Sequence, residues 1–450
     1  MAVFSHFSGK WWLPENPDVK IYGTLTHDRT GSILRLVGGF DAESEIGDSY
    51  KIILGLASDD KRITLRRCVL TSFIRRMPEK RIMESELFVN ILCIGYHFPR
   101  EEDIKFRSLS IKFSQLEEWI GKRWFRFSSE EGEEDSLMKN ILTSTMPKSR
   151  ELVALHGFRI SIGYSLAEKG NGWRTSGFEA SAMICVDVED ESKMDAMLSI
   201  AYHMRNFLSL AIGSRVSILS IEGQTKDHEH VQVPHYEEPL GDRVPFPFML
   251  FHFTDISKEP EFYLRNWFNL IEKIEPTYDL FFGTISNPYL YPTHEFLSLM
   301  QAIESFQSRA TDNHTLPKAL FDELLSQILN VICKIERENR QHFVDKARTM
   351  NRKSLRTKMK ELFGRYGGIL GFIDDERKFI GKVVDSRNYY THYDENLEKR
   401  AARIRDLPLL SHKVRLILIA VLLKEIDFND EFIKQALQRY ISYQAPKRIA

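Results

Sequence analysis

The chain has 450 residues, 43% of them apolar and 28% charged, with a net charge of -1. This is too long for one ordinary core, at roughly 100–200 residues per domain, and its composition excludes the disordered and fibrous classes. Cys68, Cys93, Cys185 and Cys333 are scattered without a CxxC or Cys/His cluster, so neither a disulfide framework nor a structural zinc site is indicated.

In the first half, Ile52, Leu54 and Leu56 alternate, as do Ile63 and Leu65, then Ile104 and Phe106, then Leu109, Ile111 and Phe113. A period of two, broken by Asp28-Arg29-Thr30-Gly31, Gly38-Gly39 and Ser58-Asp59-Asp60, predicts antiparallel sheet with one wet face. Trp11 and Trp12 are expected in its core. Ser128 to Ser136 holds five acids and no base, and with Met146-Pro147-Lys148-Ser149 it interrupts the pattern, which sets a soft subdivision near residue 145. Alternation returns at Arg159 to Tyr164 and Ala180 to Val188.

Met194, Met197, Leu198, Ala201, Met204, Leu208 and Ile212 then repeat at spacings of three and four up to Gly213, which predicts a helix. Val216 to Ile221 reads as another strand. From about Gly223 to Pro247 periodicity fades, as in a long surface connection. The run Asp227-His228-Glu229-His230, with His235 beyond it, invites a metal hypothesis, but it matches no familiar ligand spacing and reads as a solvated loop.

From Phe262 onward the apolar residues follow helical spacing: Phe296, Leu299, Met300, Ile303 and Phe306, then Leu324, Leu325, Ile328, Leu329 and Ile332, each a stripe to bury. A last apolar helix is expected from about Leu410 to Ile426. It contains Arg415 and is too short for a membrane anchor. No stretch approaches the ~20 apolar residues of a span, and the N-terminus lacks a basic start followed by an apolar core. A cytoplasmic protein without membrane attachment is expected. The fold class is α+β: a β-rich region over 1–250, followed by an all-helical bundle over 260–450.

Cutting RNA without a metal requires a group to take the 2′-hydroxyl proton, a group to protonate the leaving 5′-oxygen, and positive charge against the crowded phosphate. The segment Asp385-Ser386-Arg387-Asn388-Tyr389-Tyr390-Thr391-His392 offers a His and an Arg for these tasks. At ~100° per residue, Asn388 and His392 share a face, while Arg387 is rotated about 140° from His392. One ideal helix therefore does not complete the site; a curled Arg side chain, a distorted helix end, or a second copy of the segment must do so.

The pattern Arg-Asn-x-x-x-His resembles the signature of HEPN domains, and the preceding helices and terminal apolar helix agree with that superfamily. Gly9-Lys10-Trp11-Trp12-Leu13-Pro14, Ile21-Tyr22-Gly23-Thr24-Leu25 and Leu116-Glu117-Glu118-Trp119 are similar to the N-terminal domain of ApeA-type proteins. These join such a domain to a C-terminal HEPN domain and act in bacterial antiphage abortive infection. The resemblance implies His392 as general acid/base, Arg387 as phosphate contact and Asn388 as an orienting residue. It also implies an RNA substrate, no cofactor, a homodimer through the HEPN domain with two motifs facing each other, and a phage-derived trigger sensed by the N-terminal region. Glu304 matches by position as an auxiliary contact to the motif.

Lys346, Arg348, Arg352, Lys353, Arg356, Lys358, Lys360 and Arg365 form a basic segment that either guides RNA phosphates or is a solvated helix face. Tyr389 and Tyr390 either stack on splayed bases or pack internally. The alternative function is a non-catalytic HEPN module that binds a nucleotide or a partner.

Overall fold

The computed structural model describes residues 5–28, 31–41, 43–76, 81–131, 138–170, 176–235, 243–287, 289–310, 312–334 and 337–444. The chain forms two compact units, Met1–Arg265 and Asn266–Ala450. The first carries β1 (Ser5–Trp12), β2 (Ile21–Asp28), β3 (Gly31–Leu36), β4 (Ser49–Ala57), β5 (Arg62–Arg76), β6 (Arg81–Ile94) and β7 (Lys105–Phe113). The helix α1 (Leu116–Ile120) and the strands β8 (Phe125–Glu131), β9 (Met138–Ser144), β10 (Arg150–Leu155), β11 (Phe158–Gly170) and β12 (Ser176–Lys193) follow. Then come α2 (Met194–Ile212), β13 (Ile218–Gln224), β14 (His230–Val233) and α3 (Phe253–Ile256).

Twelve of these strands form one antiparallel sheet in the order β10-β11-β12-β7-β13-β14-β6-β3-β2-β1-β4-β5. A further pairing of β5 with β6 closes six of them into a barrel and leaves the rest as an extension. Trp11, Leu25, Leu34, Ile53, Ile63 and Leu65 fill the barrel and are fully buried. Gly55 makes room for this packing, because a Cβ there would lie 2.2 Å from the Trp11 ring.

Two expectations for this region are corrected. Ile52, Leu54 and Leu56 do not share a buried face: Ile53 points into the barrel, Leu56 is 40% exposed, and Ile52 and Leu54 are buried on the opposite side. The barrel's outer wall is covered there, since Thr64 donates to the Tyr96 carbonyl and Arg66 is held by Glu101. A strand buried on both faces reads as a continuous apolar run, and period two cannot choose its inner face. Second, residues 223–247 are not all connection, because β14 pairs with β13 within them. Part of the acidic patch also lies in β8, which pairs with β9 in a small separate sheet, while its residues 132–137 lie outside the described residues.

Helix α2 follows its predicted stripe and ends on Gly213, whose φ of 79° suits the left-handed cap that glycine adopts without strain. Helix α4 (Pro260–Ser286) carries the chain across the boundary between units. It breaks at Ile274, two residues before Pro276, which has no N–H and crowds the preceding turn.

The second unit continues with α5 (Pro292–Ala310), α6 (Lys318–Ile332), α7 (Arg337–Thr349), α8 (Leu355–Tyr366) and α9 (Glu376–His392). It closes with α10 (Glu395–Glu398), α11 (Leu407–Glu425) and α12 (Asp430–Gln444). Every residue from Leu416 to Leu423 is buried, so α11 is the central helix of the bundle, apolar on all sides. It packs against α5, whose stripe Phe296, Leu299, Met300, Ile303 and Phe306 is buried as its periodicity predicts. The α6 stripe departs from expectation: Ile332 is buried, but Leu324 is 41% exposed and Leu325, Ile328 and Leu329 are half-buried. Among the described residues no helix is long and apolar enough to cross a membrane.

Candidate active site

Helix α9 starts at Asp375, whose side chain accepts the Lys378 N–H, and ends at Tyr393, which adopts the left-handed conformation with φ 52°. Its inward face carries Phe379, Ile380, Val383, Val384, Ser386 and Tyr390. Arg387 falls four residues after Val383 and three before Tyr390, so it flanks that face and its side chain is 29% exposed. His392, the last residue of the helix, is exposed and its side chain makes no hydrogen bond among the described residues. The helix runs unbroken from Arg387 to His392, so the two side chains leave its axis about 140° apart, and no contact joins them among the described residues.

The Arg387 guanidinium meets Glu304 on α5. Its Nε lies 2.8 Å from Oε1, and its Nη2 donates to Oε2 at 3.2 Å. Oε1 is cut off from solvent and accepts no well-aligned hydrogen bond, so the Nε contact is electrostatic. On the other side Nη1 donates to Asn388 Oδ1 at 3.3 Å. Guanidinium has five N–H donors in a fixed fork. The inner edge is therefore occupied, and one N–H on each terminal nitrogen remains for an oxyanion.

One turn beyond Glu304, Ser308 donates to the Glu304 carbonyl at 2.8 Å and accepts from Lys358 Nζ of α8 at 2.7 Å. Burial of Lys358 holds its ammonium below the ordinary lysine range; Glu304 opposes this shift and Arg352 adds to it. Sequence reasoning missed Ser308. The available signal was its position four residues after Glu304 on the polar edge of a strongly striped helix.

The basic segment divides into groups. Lys346 and Arg348 are exposed on α7, Arg352 and Lys353 lie in the connection after it, and Arg356, Lys358, Lys360 and Arg365 lie on α8. Three members are already paired with carboxylates: Lys353 with Glu361 at 2.8 Å, Arg356 with Asp385 at 3.2 Å and Arg365 with Glu425 at 2.9 Å. Lys346, Arg348, Arg352 and Lys360 form no ion pair among the described residues.

The tyrosines separate as well. Tyr389 is half-buried, with its ring 5.6 Å from that of the exposed Tyr393. Tyr390, expected as a stacking platform, is 6% exposed and donates to the Ala402 carbonyl at 2.8 Å. Ser386 accepts the Ala402 N–H from one turn earlier. Tyr390 is thus a packing residue that clamps the following loop, and its ring is not presented to a base. In the first unit, Glu229 of the His-rich turn pairs with Arg62 at 3.0 Å. Among the described residues no three His, Cys, Asp or Glu gather as metal ligands.

Residues 6–267, more than half of the chain, match the family model described as ApeA N-terminal domain 1, and residues 297–432 match that described as Apea-like HEPN. The second match contains Glu304, Ser308, Lys358, Arg387, Asn388 and His392. No curated protein and no solved structure matches the chain.

Proposed function

Since the chain belongs to the ApeA family and carries its HEPN domain, we propose that it is an antiphage abortive-infection endoribonuclease whose chemistry rests on Arg387, Asn388 and His392. The observation that carries this reading is the half-held Arg387 fork, with its inner edge on Glu304 and its outer donors free, on the helix that ends in an exposed His392. That arrangement suits phosphodiester recognition, because the free N–H pair matches two oxygens of one phosphate.

In the proposed reaction a base removes the proton of a ribose 2′-hydroxyl and the 2′-oxygen attacks the adjacent phosphorus. The bond to the 5′-oxygen breaks and that oxygen takes up a proton, leaving a 2′,3′-cyclic phosphate and a 5′-hydroxyl. His392 serves as the general acid/base, the imidazole being the side chain that exchanges a proton near neutral pH. Arg387 stabilises charge on the phosphate, Asn388 orients the fork and Glu304 fixes its inner edge. No cofactor is required. Because Arg387 and His392 diverge within one chain, the active form is a homodimer in which the His392 of one copy faces the Arg387 of the other. Transfer RNA is the first cellular target to test. Lys346, Arg348, Arg352 and Lys360 supply salt-sensitive attraction for the RNA backbone.

An unrestrained ribonuclease would kill its own host, so the N-terminal unit is assigned the sensing of a phage-derived trigger and the restraint of the C-terminal unit. The central test is end-sequencing of RNA from cells expressing wild type or His392→Ala. New 5′-hydroxyl ends that vanish in the folded variant are expected. The same new ends in both would overturn the assignment of His392, and no new ends with wild type would leave a nucleotide- or partner-binding module as the better reading.

A further inference from the structure

We propose that Lys358 is a catalytic residue of this site, contacting the scissile phosphate together with Arg387 of the same chain. This rests on the ribonuclease reading above and goes beyond it, since the basic segment as a whole was assigned only general attraction for RNA.

Position sets Lys358 apart from its neighbours. Lys353 is neutralised by Glu361, while Arg356 and Arg365 are exposed and pair with Asp385 and Glu425, carboxylates they share with Arg400 and Lys273. The Lys358 ammonium is instead drawn onto Ser308 Oγ at 2.7 Å, one helical turn from the carboxylate that grips Arg387. Ser308 is a neutral partner, so it anchors the ammonium without discharging it. Among the described residues Glu304 is the acid that acts on both cations, which leaves one positive charge over. A phosphodiester carries one negative charge, which balances the cluster.

The donor inventory agrees. Lys358 has three N–H groups and uses one, while Arg387 keeps one N–H on each terminal nitrogen. These free donors come from α8 and α9 around a carboxylate on α5, where partial burial strengthens charge–charge attraction relative to open water. The contacts that build this cluster among the described residues involve Glu304, Ser308, Lys358, Arg387 and Asn388, and not His392. Lys358 thus supplies in cis the second cation that the divergence of Arg387 and His392 otherwise leaves missing, and it stabilises the non-bridging phosphate oxygens as the 2′-oxygen attacks.

The test uses purified full-length protein, bulk transfer RNA and total cellular RNA as probes, and single-turnover cleavage at saturating enzyme beside a binding measurement. Lys358→Gln and Lys358→Ala are expected to lower the saturated rate about 100-fold or more, the loss typical of removing one donor to a developing oxyanion, with affinity changed less than about threefold. Lys358→Arg retains most of the rate, and added methylammonium restores the Ala variant at least about tenfold, which loss of a structural contact would not allow. The contrast is Lys346→Gln/Arg348→Gln, which weakens binding and its salt dependence more than it lowers the saturated rate.

Wild-type rates at saturation in Lys358→Gln would overturn the proposal. So would a loss that neither Lys358→Arg nor methylammonium repairs. If wild type itself cuts neither RNA pool, the ribonuclease reading fails and this inference falls with it; if wild type cuts and Lys358→Gln cuts equally, only this inference falls.

Discussion

Two arginines, one in each unit, use the same chemistry to different ends. Arg66 on β5 is 4% exposed and uses four of its five N–H donors: Nε and Nη2 donate to Glu101 at 2.8 and 2.6 Å, and Nη1 and Nη2 to Asp195 at 2.7 Å each. These four short contacts leave one N–H, on Nη1, and the guanidinium serves as a clasp between the barrel wall and the start of α2. Arg387 is 29% exposed, has longer contacts, and retains its outer edge. Burial alone does not separate a structural charge from a functional one. What separates them is how many donors remain within reach of solvent after the internal partners are counted: two on the 29% exposed Arg387, against one on the 4% exposed Arg66.

The largest test of this contrast is Arg387→Ala, expected to lower RNA cleavage by about 10³-fold or more, near 4 kcal/mol in the transition state, while the melting temperature moves by no more than a few degrees. A variant that unfolds instead would make Arg387 a clasp like Arg66.

The converse experiment acts on Arg66. Glu101→Gln/Asp195→Asn strands a buried cation and should destabilise the fold by about 3–5 kcal/mol, read from denaturant midpoints. Arg66→Met should cost less, because the abandoned carboxylates are 24% and 58% exposed and can be hydrated. Arg66 holds both carboxyls below their ordinary range. Groups depressed in the folded state contribute stability above their unfolded pKa and lose it as pH falls through the folded value. The wild-type advantage over Arg66→Met should therefore be flat at neutral pH and shrink below the ordinary carboxylate range. A pH-independent difference would contradict the clasp.

Smaller effects sharpen the other side. Glu304→Gln keeps shape but removes the charge on the inner edge of the Arg387 fork, and should reduce the cleavage rate by about 10- to 100-fold, as when a group that orients another is lost. Faster cleavage in Glu304→Gln would recast Glu304 as a block. Tyr390→Phe leaves the buried Ala402 carbonyl without its donor and should cost about 1–2 kcal/mol of stability with the saturated cleavage rate unchanged. A selective loss of cleavage would return Tyr390 to the RNA-contacting set.

The sequence made the outer features of this protein legible where one interaction dominates. Met194 to Gly213 is bounded by its own apolar period and a glycine cap, and the α5 stripe names the residues that α11 buries. Legibility fails where a second partner decides. The Leu324 stripe has the same helical period as that of α5, yet most of it is uncovered, because periodicity specifies a face and not what lies against it. Arg66-Arg67 reads as polar strand surface until Glu101 and Asp195 arrive from elsewhere in the chain. In the candidate site, Arg387 and His392 could be chosen from spacing and family resemblance. The Lys358–Ser308 contact could not, since it joins residues fifty positions apart on two helices.

Helix α4 has a practical bearing on any attempt to study the units singly. The boundary after Arg265 falls inside this helix and not in a loop. Proteases need an extended substrate segment, and backbone tied into i to i−4 hydrogen bonds does not offer one. Limited digestion is accordingly a poor way to release the C-terminal unit at this point. A gene fragment that opens at residue 266 would cut away the helix's first six residues and expose four N–H groups in mid-sequence. Opening at Pro260 keeps the natural start, where a proline needs no N–H partner, and makes it the sounder border for expression.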